Sequence, residues 1–349
     1  MLEFVIEKSA LAFAIFVLSL VIAMYSTYLE RKVAAFLQDR IGPNRAGIFG
    51  LLQPLADGGK MFFKEEFIPA NASKWLFIAG PGIAMFTALM TSAVIPWAPD
   101  FEAFGRTISM QVSDINIGVL YVLGVLSLGI YGIMIGGWAS NNKYSLFSAI
   151  RASSQIISYE LAMGMIIITI IMMTGSVGMK DIIGRQAEAL YGIEALKGLN
   201  WNIFYQPIGF IVFMTCALAE CNRAPFDMAE CESELIGGYH TEYSSMKLGF
   251  YLFAEYINMF VSSAMISLLF FGGYSFPGMQ HFDGLTLTLL GFGAFLTKTI
   301  FFIFVFMWIR WTLPRFRYDQ LMELGWKKLI PIALINMLIT GALVLYFNK

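Results

Sequence analysis

The stretch "INIGVLYVLGVLSLGIYGIMIGGW", residues 115–138, decides the fold. It holds no charged side chain, and about 20 apolar residues in a helix suffice to cross the hydrocarbon core of a bilayer, roughly 30 Å thick. Lipid offers the backbone no hydrogen bonds, so a run of this kind forms a helix. Similar runs recur along the 349 residues, 58% of which are hydrophobic. The sequence therefore predicts an all-α integral membrane protein.

Eight apolar runs divide the chain, without a soluble module or a low-complexity linker between them. We expect a single membrane domain over residues 1–349, with about eight transmembrane helices, amphipathic interfacial helices, and two long loops on one side. The transmembrane helices are predicted near residues 10–29, 75–95, 115–138, 154–173, 203–219, 248–271, 285–309 and 329–347. The two loops are predicted at 30–74 and 220–247.

The distribution of positive charge predicts the orientation. Most of the 23 Lys and Arg residues lie on the loops that follow the first, third, fifth and seventh apolar runs. Positive residues favour the cytoplasmic side of a membrane. With an even number of spans, both termini then lie on the opposite side. We expect a multi-pass protein of the bacterial cell inner membrane, with both termini in the periplasm and the two long loops in the cytoplasm.

One part of the first loop has the pattern of an amphipathic helix. Asp57, Lys60 and Lys64 follow one another at helical spacing, and Leu55 lies off that stripe. The pattern suits a helix that lies in the membrane interface with its apolar side in the bilayer, although a plain surface helix has the same pattern. On the other side of the membrane, residues 181–198 space their apolar side chains similarly and predict an interfacial cover helix.

Four ionisable residues fall within or at the ends of predicted spans. They are Glu160, Glu220, Glu255 and Lys298. Each costs at least about 2.5 kcal/mol on insertion scales, so such residues tend to mark functional pathways. Any one of them could belong to a structural ion pair. Three acids and one base on neighbouring spans are better explained by a water-filled charged path that takes up and releases protons.

The densest acidic segment is "AECNRAPFDMAECESELIGGYHTEY", residues 219–243. It carries six of the 24 acidic residues of the chain. Pro225 should interrupt any helix that continues from the fifth span. After it, three acids, Asp227, Glu230 and Glu234, fall on one helical face, and Glu232 points elsewhere. A solvated loop is the common form of such a segment, but interleaved apolar and aromatic residues favour a packed, partly buried polar site.

No feature of the sequence indicates a bound metal, nucleotide or redox centre. Cys216, Cys221 and Cys231 lack the C-x-x-C spacing of zinc and iron–sulfur sites, and the chain has only two histidines. A phosphate-binding loop and a dinucleotide-binding fingerprint are both absent. We therefore expect no cofactor on this chain itself.

Four long motifs resemble one known family. They read "ERKVAAFLQDRIGPNRAGIFGLLQPLADGGKMFFKEE" (30–66), "GGWASNNKYSLFSAIRASSQIISYE" (136–160), "AECNRAPFDMAECESELIGGYHTEYSSMKLGFYLFAEY" (219–256) and "WIRWTLPRFRYDQLMELGWK" (308–327). In this order they resemble the membrane subunit that forms the quinone chamber of respiratory complex I, the NADH:quinone oxidoreductase of bacteria and mitochondria.

One part of the third motif departs from that family. Its usual acidic run is Asp-Leu-Pro-Glu-Ala-Glu-Ser-Glu, whereas this chain has "DMAECESE" at 227–234. Met228, Ala229 and Cys231 are the differences. Because the acids are retained, we expect an altered backbone in the loop rather than lost function.

The resemblance implies a role within a larger enzyme. Members of the family carry no cofactor of their own, since FMN and the iron–sulfur clusters lie on partner subunits. Their first span, loop helix and sixth span frame a cavity for the quinone tail. Their buried glutamates begin a charged path toward proton-pumping subunits. The implied partners are the iron–sulfur and quinone-site subunits of the hydrophilic arm, small membrane subunits, antiporter-like subunits, quinone and lipid, but no nucleic acid.

Specific residues take on these roles by their positions in the motifs. For the quinone chamber they are Glu30, Arg31, Arg40, Arg45, Gln53, Asp57, Lys60, Lys64, Glu65, Arg223 and Phe226. For the charged path they are Glu160, Glu220, Asp227, Glu230, Glu232, Glu234 and Glu255, to which the charged residues of the spans add Lys298.

Two other functions remain open at this point. The first is the membrane subunit of a related energy-converting hydrogenase, which uses no quinone; the complete "QDRIGPNR" and "LADGGK" stretches favour the quinone enzyme. The second is a stand-alone ion transporter, which would typically have internal repeats and broken helices at the midplane. The sequence leaves open whether the quinone is ubiquinone or menaquinone, and whether the ion is H⁺ or Na⁺.

Overall fold

The computed structural model describes residues 2–103, 106–189, 197–227 and 236–347. Within these ranges most residues lie in helices that are joined by loops, and a short antiparallel hairpin is formed by β1 (Phe101–Ala103) and β2 (Arg106–Ile108). The helices are α1 (Leu2–Leu37), α2 (Gln53–Phe63), α3 (Lys74–Ser92), α4 (Gly118–Ala139), α5 (Lys143–Thr174), α6 (Met179–Gln186), α7 (Asn202–Tyr205), α8 (Pro207–Glu220), α9 (Ser245–Phe271), α10 (Gly284–Thr312), α11 (Tyr318–Glu323) and α12 (Ile330–Phe347). A π-helical stretch, Leu324–Leu329, joins α11 to α12.

Seven helical segments in the described part of the chain are long and apolar enough to cross a membrane. They are α1, α3, α4, α5, α9, α10 and the continuous segment from α11 to α12. The predicted all-α membrane fold is therefore confirmed. Their lengths also correct two expectations: α1 continues to Leu37, so Glu30 and Arg31 lie on a helix rather than in the loop 30–74, and α9 begins at Ser245, inside the expected loop 220–247.

The fifth predicted span, 203–219, is broken in the structure. It falls on α7 and α8, and α8 has only 14 residues, or about 21 Å at 1.5 Å per residue. Gln206 has a non-helical backbone (φ −130°, ψ 55°) and Pro207 begins α8, a position where the missing N–H of proline costs nothing. The cover helix expected at 181–198 is also shorter: α6 ends at Gln186, and residues 190–196 lie outside the described ranges.

Small residues allow α3 and α4 to approach closely. A Cβ added to Gly136 would lie 1.9 Å from the Tyr251 hydroxyl, and one added to Gly80 would lie 2.9 Å from the Gly136 Cα. Gly132, one turn before Gly136, similarly faces the backbone of Ala84. Glycines four residues apart are typical of close helix pairs in membranes. The hydroxyl of Tyr251, on α9, occupies the space that these glycines leave.

The helix α9 lies at the centre of the bundle. It is the most deeply buried of the seven long segments and packs against α1, α3, α8 and α10. Tyr243, just before it, places its hydroxyl 3.1 Å from the carbonyl oxygen of Phe77 and stacks on the Phe77 ring. Burial raises the pKa of Tyr243 to about 12, so the hydroxyl stays protonated and able to donate. These contacts fix the start of α9 against α3.

The amphipathic helix α2 lies against α1 and α9. The hydroxyl of Ser245 donates to the carbonyl of Met61 at 3.1 Å, and Lys247 pairs with Glu66 just beyond the end of α2. The apolar Phe63 on its other side is almost fully exposed. The polar stripe expected on this helix is shorter than predicted, because Lys64 lies one residue beyond its last turn.

Candidate functional site

A buried carboxylate on α1 collects three partners from other parts of the chain. Glu30 is 6% exposed. Its Oε2 accepts a hydrogen bond from Arg223 Nη1 at 3.3 Å and from the hydroxyl of Tyr256 at 2.9 Å, and its Oε1 is paired with Arg310. A buried charge is tolerated only when it is paired and hydrogen-bonded. The partners of Glu30 meet that condition.

Arg223 connects this carboxylate to a second one. Its Nη2 lies 3.9 Å from Oε2 of Glu255, and its guanidinium lies 4.1 Å from the centre of the Tyr256 ring. The hydroxyl of Tyr239 donates to Oε1 of Glu255 at 3.0 Å. Residues from α1, α9, α10 and the non-helical segments that carry Arg223 and Tyr239 therefore form one network, the buried ion network. Its charged members are Glu30, Arg223, Glu255 and Arg310.

The segment that follows α8 is held rigidly in place. The side-chain amide of Gln155, on α5, donates to the carbonyls of Ala219 and Phe226, each at 2.9 Å. The ring of Phe226 is buried against Tyr159, with ring centres 5.4 Å apart. These contacts with α5 hold in place the segment that carries Arg223. They also place Phe226, which was expected in the quinone chamber, inside the protein as a packing residue.

Three of the expected path carboxylates lie near one another. Glu220 and Glu255 line a cavity of about 40 Å³ between α3, α4, α5, α8 and α9, which is room for roughly two or three water molecules. Asn222 and Tyr239 line the same cavity. Glu160 is close enough to Glu220 to interact with it electrostatically, and its carboxylate accepts a hydrogen bond from Ser127 on α4.

Asp227 is the last residue of the acidic segment that the structure describes before the gap at 228–235. Asp227 is buried, and its Oδ2 lies 3.3 Å from Nη2 of Arg315, whose side chain is half-exposed. The remaining acids of the loop, Glu230, Glu232 and Glu234, lie outside the described residues.

A second cavity lies between α1, α2 and α9. Its volume is about 170 Å³. Arg31 and Asp57 form an ion pair in its wall at 2.7 Å, and Gln53 donates to Asp57 at 3.0 Å. The lining residues are Met24, Thr27, Arg31, Pro54, Asp57, Gly58, Met61, Gly249, Leu252, Phe253 and Tyr256. These are the elements that the family resemblance assigns to the chamber for the quinone tail.

Tyr256 contacts both the buried ion network and the cavity between α1, α2 and α9. It lines the cavity between α1, α2 and α9, while its hydroxyl is bonded to Glu30 and its ring lies against Arg223. Neither Tyr256 nor Arg310 was among the residues predicted from the sequence. The signals were present: Tyr256 directly follows Glu255, and Arg310 is a cation at the end of an apolar run. A single sequence does not tell which buried residues face one another.

Several of the residues expected in the chamber stand apart from this cavity. All are exposed on the loop side of the protein, and the nearest described partner of Arg40 is Gln38, 2.7 Å from its Nε. These residues are Arg40, Arg45, Lys60, Lys64 and Glu65.

Lys298 is also separate from the buried ion network. Its Nζ donates to three carbonyls at the end of α9 and in the following turn: Phe271 at 2.7 Å, Gly273 at 2.9 Å and Ser275 at 2.5 Å. It also lies 5.3 Å from the centre of the Trp201 ring. Lys298 precedes Arg310 by twelve residues on the same helix, or roughly 18 Å at the rise of an α-helix.

The chain is similar to known proteins over almost its whole length. Residues 10–341 match the model of the family described as NADH dehydrogenase. The chain is 62% identical, over 99% of its length and 98% of the relative's, to a protein named as an H subunit of NADH-quinone oxidoreductase in Cytophaga hutchinsonii. It is 60% identical to the protein of the same name in Flavobacterium johnsoniae, over 98% of the chain and 96% of the relative. It is 45% identical to one in Geobacter metallireducens, over 97% of each.

These matches confirm the resemblance that the four motifs suggested. Together with the seven long apolar helices they identify a multi-pass membrane protein. The names of the relatives favour a quinone-reducing enzyme over both alternatives, the hydrogenase subunit and the stand-alone transporter. Within the described residues no group of three His, Cys, Asp or Glu side chains is placed to hold a metal ion.

Proposed function

The chain belongs to the NADH dehydrogenase family, and on that premise we propose that it is the quinone-chamber membrane subunit of a proton-translocating NADH-quinone oxidoreductase. In this role it binds the quinone tail in the cavity between α1, α2 and α9. It also begins the charged path that couples quinone reduction to ion movement. The enzyme as a whole is the oxidoreductase; this chain contributes a binding chamber and ionisable groups.

The observation that carries this proposal is that Tyr256 contacts both the chamber and the buried ion network. Reduction of a quinone to a quinol takes two electrons and two protons, so it changes the charge and the proton demand beside the chamber. Tyr256 lines that chamber and bonds directly to Glu30. A change of charge at the quinone therefore reaches the buried ion network through one side chain.

The path beyond this network consists of carboxylates around the smaller cavity. Glu255 is a member of the network and also lines the cavity, and Glu220 faces it. Protons pass between such groups through a few ordered waters, for which the cavity has room. From Glu220 the path leads to Glu160, and we assign the acids at Asp227, Glu230, Glu232 and Glu234 to its start at the loop. We leave Lys298 out of it, because its three hydrogen bonds are all to backbone carbonyls.

The partners follow from membership of the family. In the proposed complex, electrons come from FMN and iron–sulfur clusters on other subunits. The exposed charges Arg40, Arg45, Lys60, Lys64 and Glu65 suit a docking surface for the hydrophilic arm. Small membrane subunits and antiporter-like subunits would cover the lipid-facing sides. We place the complex in the bacterial inner membrane, with both termini of this chain in the periplasm.

The chamber is tested by a substitution that places a larger side chain in the wall of the cavity between α1, α2 and α9. Gly249 lines the cavity, and a Cβ there would meet only Met246 Sδ, at 3.8 Å. Gly249→Leu therefore extends into the chamber without displacing the backbone. We expect it to raise the KM for a long-tailed quinone more than for a short-tailed analogue, while electron flow from NADH to a soluble artificial acceptor is unchanged.

The matched control is Gly164→Leu on α5, where a Cβ has nothing within 4 Å. It should leave both quinone activities at the wild-type level. If Gly249→Leu assembles and its KM values equal those of the control, the cavity between α1, α2 and α9 is not the chamber.

A further inference from the structure

One side chain in the smaller cavity lacks a partner in the protein. Asn258, on α9, lines this cavity of about 40 Å³ together with Glu220 and Glu255. Its amide oxygen Oδ1 is shielded from the surface, and no described residue hydrogen-bonds to it. Burial of an amide without hydrogen bonds is costly, so a buried group of this kind calls for an explanation. The amide therefore needs a partner that the described chain does not supply.

Asn258 shares one face of α9 with Glu255 and Tyr251. It follows Glu255 by three residues and Tyr251 by seven, which is helical spacing, and all three side chains line the cavity. Along the helix the amide lies about 4.5 Å beyond Glu255, at a rise of 1.5 Å per residue. Since α9 begins at Ser245, Asn258 lies roughly 20 Å along a span, away from the solvent at that end. Its partner must therefore lie within the cavity.

The carboxyl group of Glu220, on α8, is in the same condition. Glu220 is buried, and no side chain or backbone group within the described ranges hydrogen-bonds to its carboxyl oxygens. Glu255 differs, because its Oε1 already accepts a hydrogen bond from the Tyr239 hydroxyl and its Oε2 faces Arg223. The cavity is thus lined by two polar groups without partners and by one carboxylate that can accept further hydrogen bonds.

Water is the ligand that fits this space. The cavity has room for roughly two or three molecules, and a buried water makes about two to four hydrogen bonds to polar groups. Asn258, Glu220 and Glu255 supply such groups. An apolar ligand would leave all three without hydrogen bonds, and a cation is disfavoured because Arg223 already brings positive charge to Glu255.

We propose that Asn258 holds the ordered water that carries protons between Glu255 and Glu220. The inference rests on the function proposed above and adds a residue to its charged path. The amide oxygen accepts one hydrogen of a water molecule, and so directs the other hydrogen and the lone pairs of that molecule toward the carboxyl groups. A proton leaves the protonated Glu255, the water takes it up and releases another of its protons, and the ionised Glu220 receives that proton. Asn258 itself neither gains nor loses a proton, and is therefore a positioning residue.

The water is tested first, in the whole complex. Electron cryo-microscopy at a resolution that shows ordered water should reveal a peak within hydrogen-bond distance of the Asn258 amide and of Glu220 or Glu255. In Asn258→Leu, whose side chain is of similar size but has no polar atom, that peak should be absent. An empty cavity in the wild-type complex would overturn the proposal, and so would a peak that stays in place in Asn258→Leu.

The positioning role is tested by the rate of quinone reduction. Asn258→Leu should lower kcat about tenfold, the effect expected from loss of a hydrogen bond in a charged network. The KM for quinone should stay the same, because the substitution does not touch the chamber. Proton transfer then limits the reaction, so the rate of the variant should fall further in D₂O than that of the wild type. Asn258→Ser, whose hydroxyl can bind water, should retain most of kcat.

Asn116→Leu is the control, because Asn116 lies exposed before α4 and its amide can bond to solvent. It should behave as wild type in every measurement. A kcat and an isotope effect in Asn258→Leu that equal those of the control would overturn the positioning role. Should Asn258→Leu fail to assemble, Asn258→Val removes the same amide and takes its place.

Failure of the proposed function gives a different result. The wild-type complex would then reduce no quinone, while the cryo-microscopy map of the wild type would still decide whether Asn258 holds water.

Discussion

Two buried charge sites in this bundle differ in their partners. In the buried ion network, Arg223 lies between two carboxylates, Glu30 and Glu255. Its neighbours Glu255 and Tyr256 each line a cavity. At the other site, Lys298 makes all its hydrogen bonds to backbone carbonyls. The groups around Arg223 can gain or lose protons, whereas carbonyls cannot. A charge inside a membrane span therefore indicates function only when its partners can also change their charge.

The largest effect on quinone reduction is expected for Arg223→Met. The variant leaves Glu30 and Glu255 without their shared cation, and removal of one partner from a buried ion pair costs about 3–5 kcal/mol. We expect quinone reduction by the complex to be lost and less complex to assemble. NADH:quinone rates, with native gels for assembly, measure both effects.

The control for that variant is Arg317→Met. Arg317 is mostly exposed and pairs with the equally exposed Asp319, and surface pairs contribute little. It should behave as wild type. Quinone reduction within twofold of wild type in Arg223→Met would mean that the buried ion network has no part in the reaction.

A smaller effect is expected at the second site, with Lys298→Met. The variant loses three hydrogen bonds from a charged donor, which should destabilise the end of α9 by roughly 2–3 kcal/mol. We expect the activity to be lost at a lower temperature, while the quinone reductase rate per assembled complex stays at the wild-type level at low temperature. The temperature of half-inactivation and the specific rate separate these outcomes.

Lys327→Met, at an exposed residue, should change neither quantity. A specific rate in Lys298→Met that falls as far as in Arg223→Met, with the complex intact, would restore Lys298 to the charged path, as the sequence suggested.

The smallest effect is expected for Tyr256→Phe. It removes the hydroxyl that donates to Glu30 but keeps the ring that lies on Arg223. A hydrogen bond to a charged group is worth about 1.5 kcal/mol or more, or roughly tenfold in rate. We expect a decrease of that size in quinone reduction, with no change in assembly. Tyr346→Phe, at the exposed end of α12, is the control, and equal rates in the two variants would remove Tyr256 from the link between chamber and network.

The sequence predicted the helices better than it predicted the contacts. Apolar runs are local, and seven of the eight predicted ranges lie on long apolar helices. The break at Gln206 was missed because the bonds that Gln206 makes with Thr340 and Asn336 come from residues more than a hundred positions away. Arg310 was missed for the same reason, since its partner Glu30 lies on the first helix.

Motif matching named residues that the structure brings together, but not which of them face one another. Glu30, Arg223 and Glu255 were named from the sequence, yet their meeting in one network depends on how α1, α9 and α10 pack. Phe226 belongs to the same motif as Arg223 but is a packing residue. Neighbours along a loop can face opposite directions, which a motif does not record.

The short length of α8 has a consequence for the exchange of backbone hydrogen. A helix of 14 residues is shorter than the roughly 20 that cross a bilayer, and non-helical backbone follows it at 221–227. Every residue of that segment is buried, and non-helical backbone is tolerated at membrane depth only where protein encloses it. In deuterium exchange its amides should therefore exchange slowly, at the pace of the spans and not of the exposed loop at 38–47.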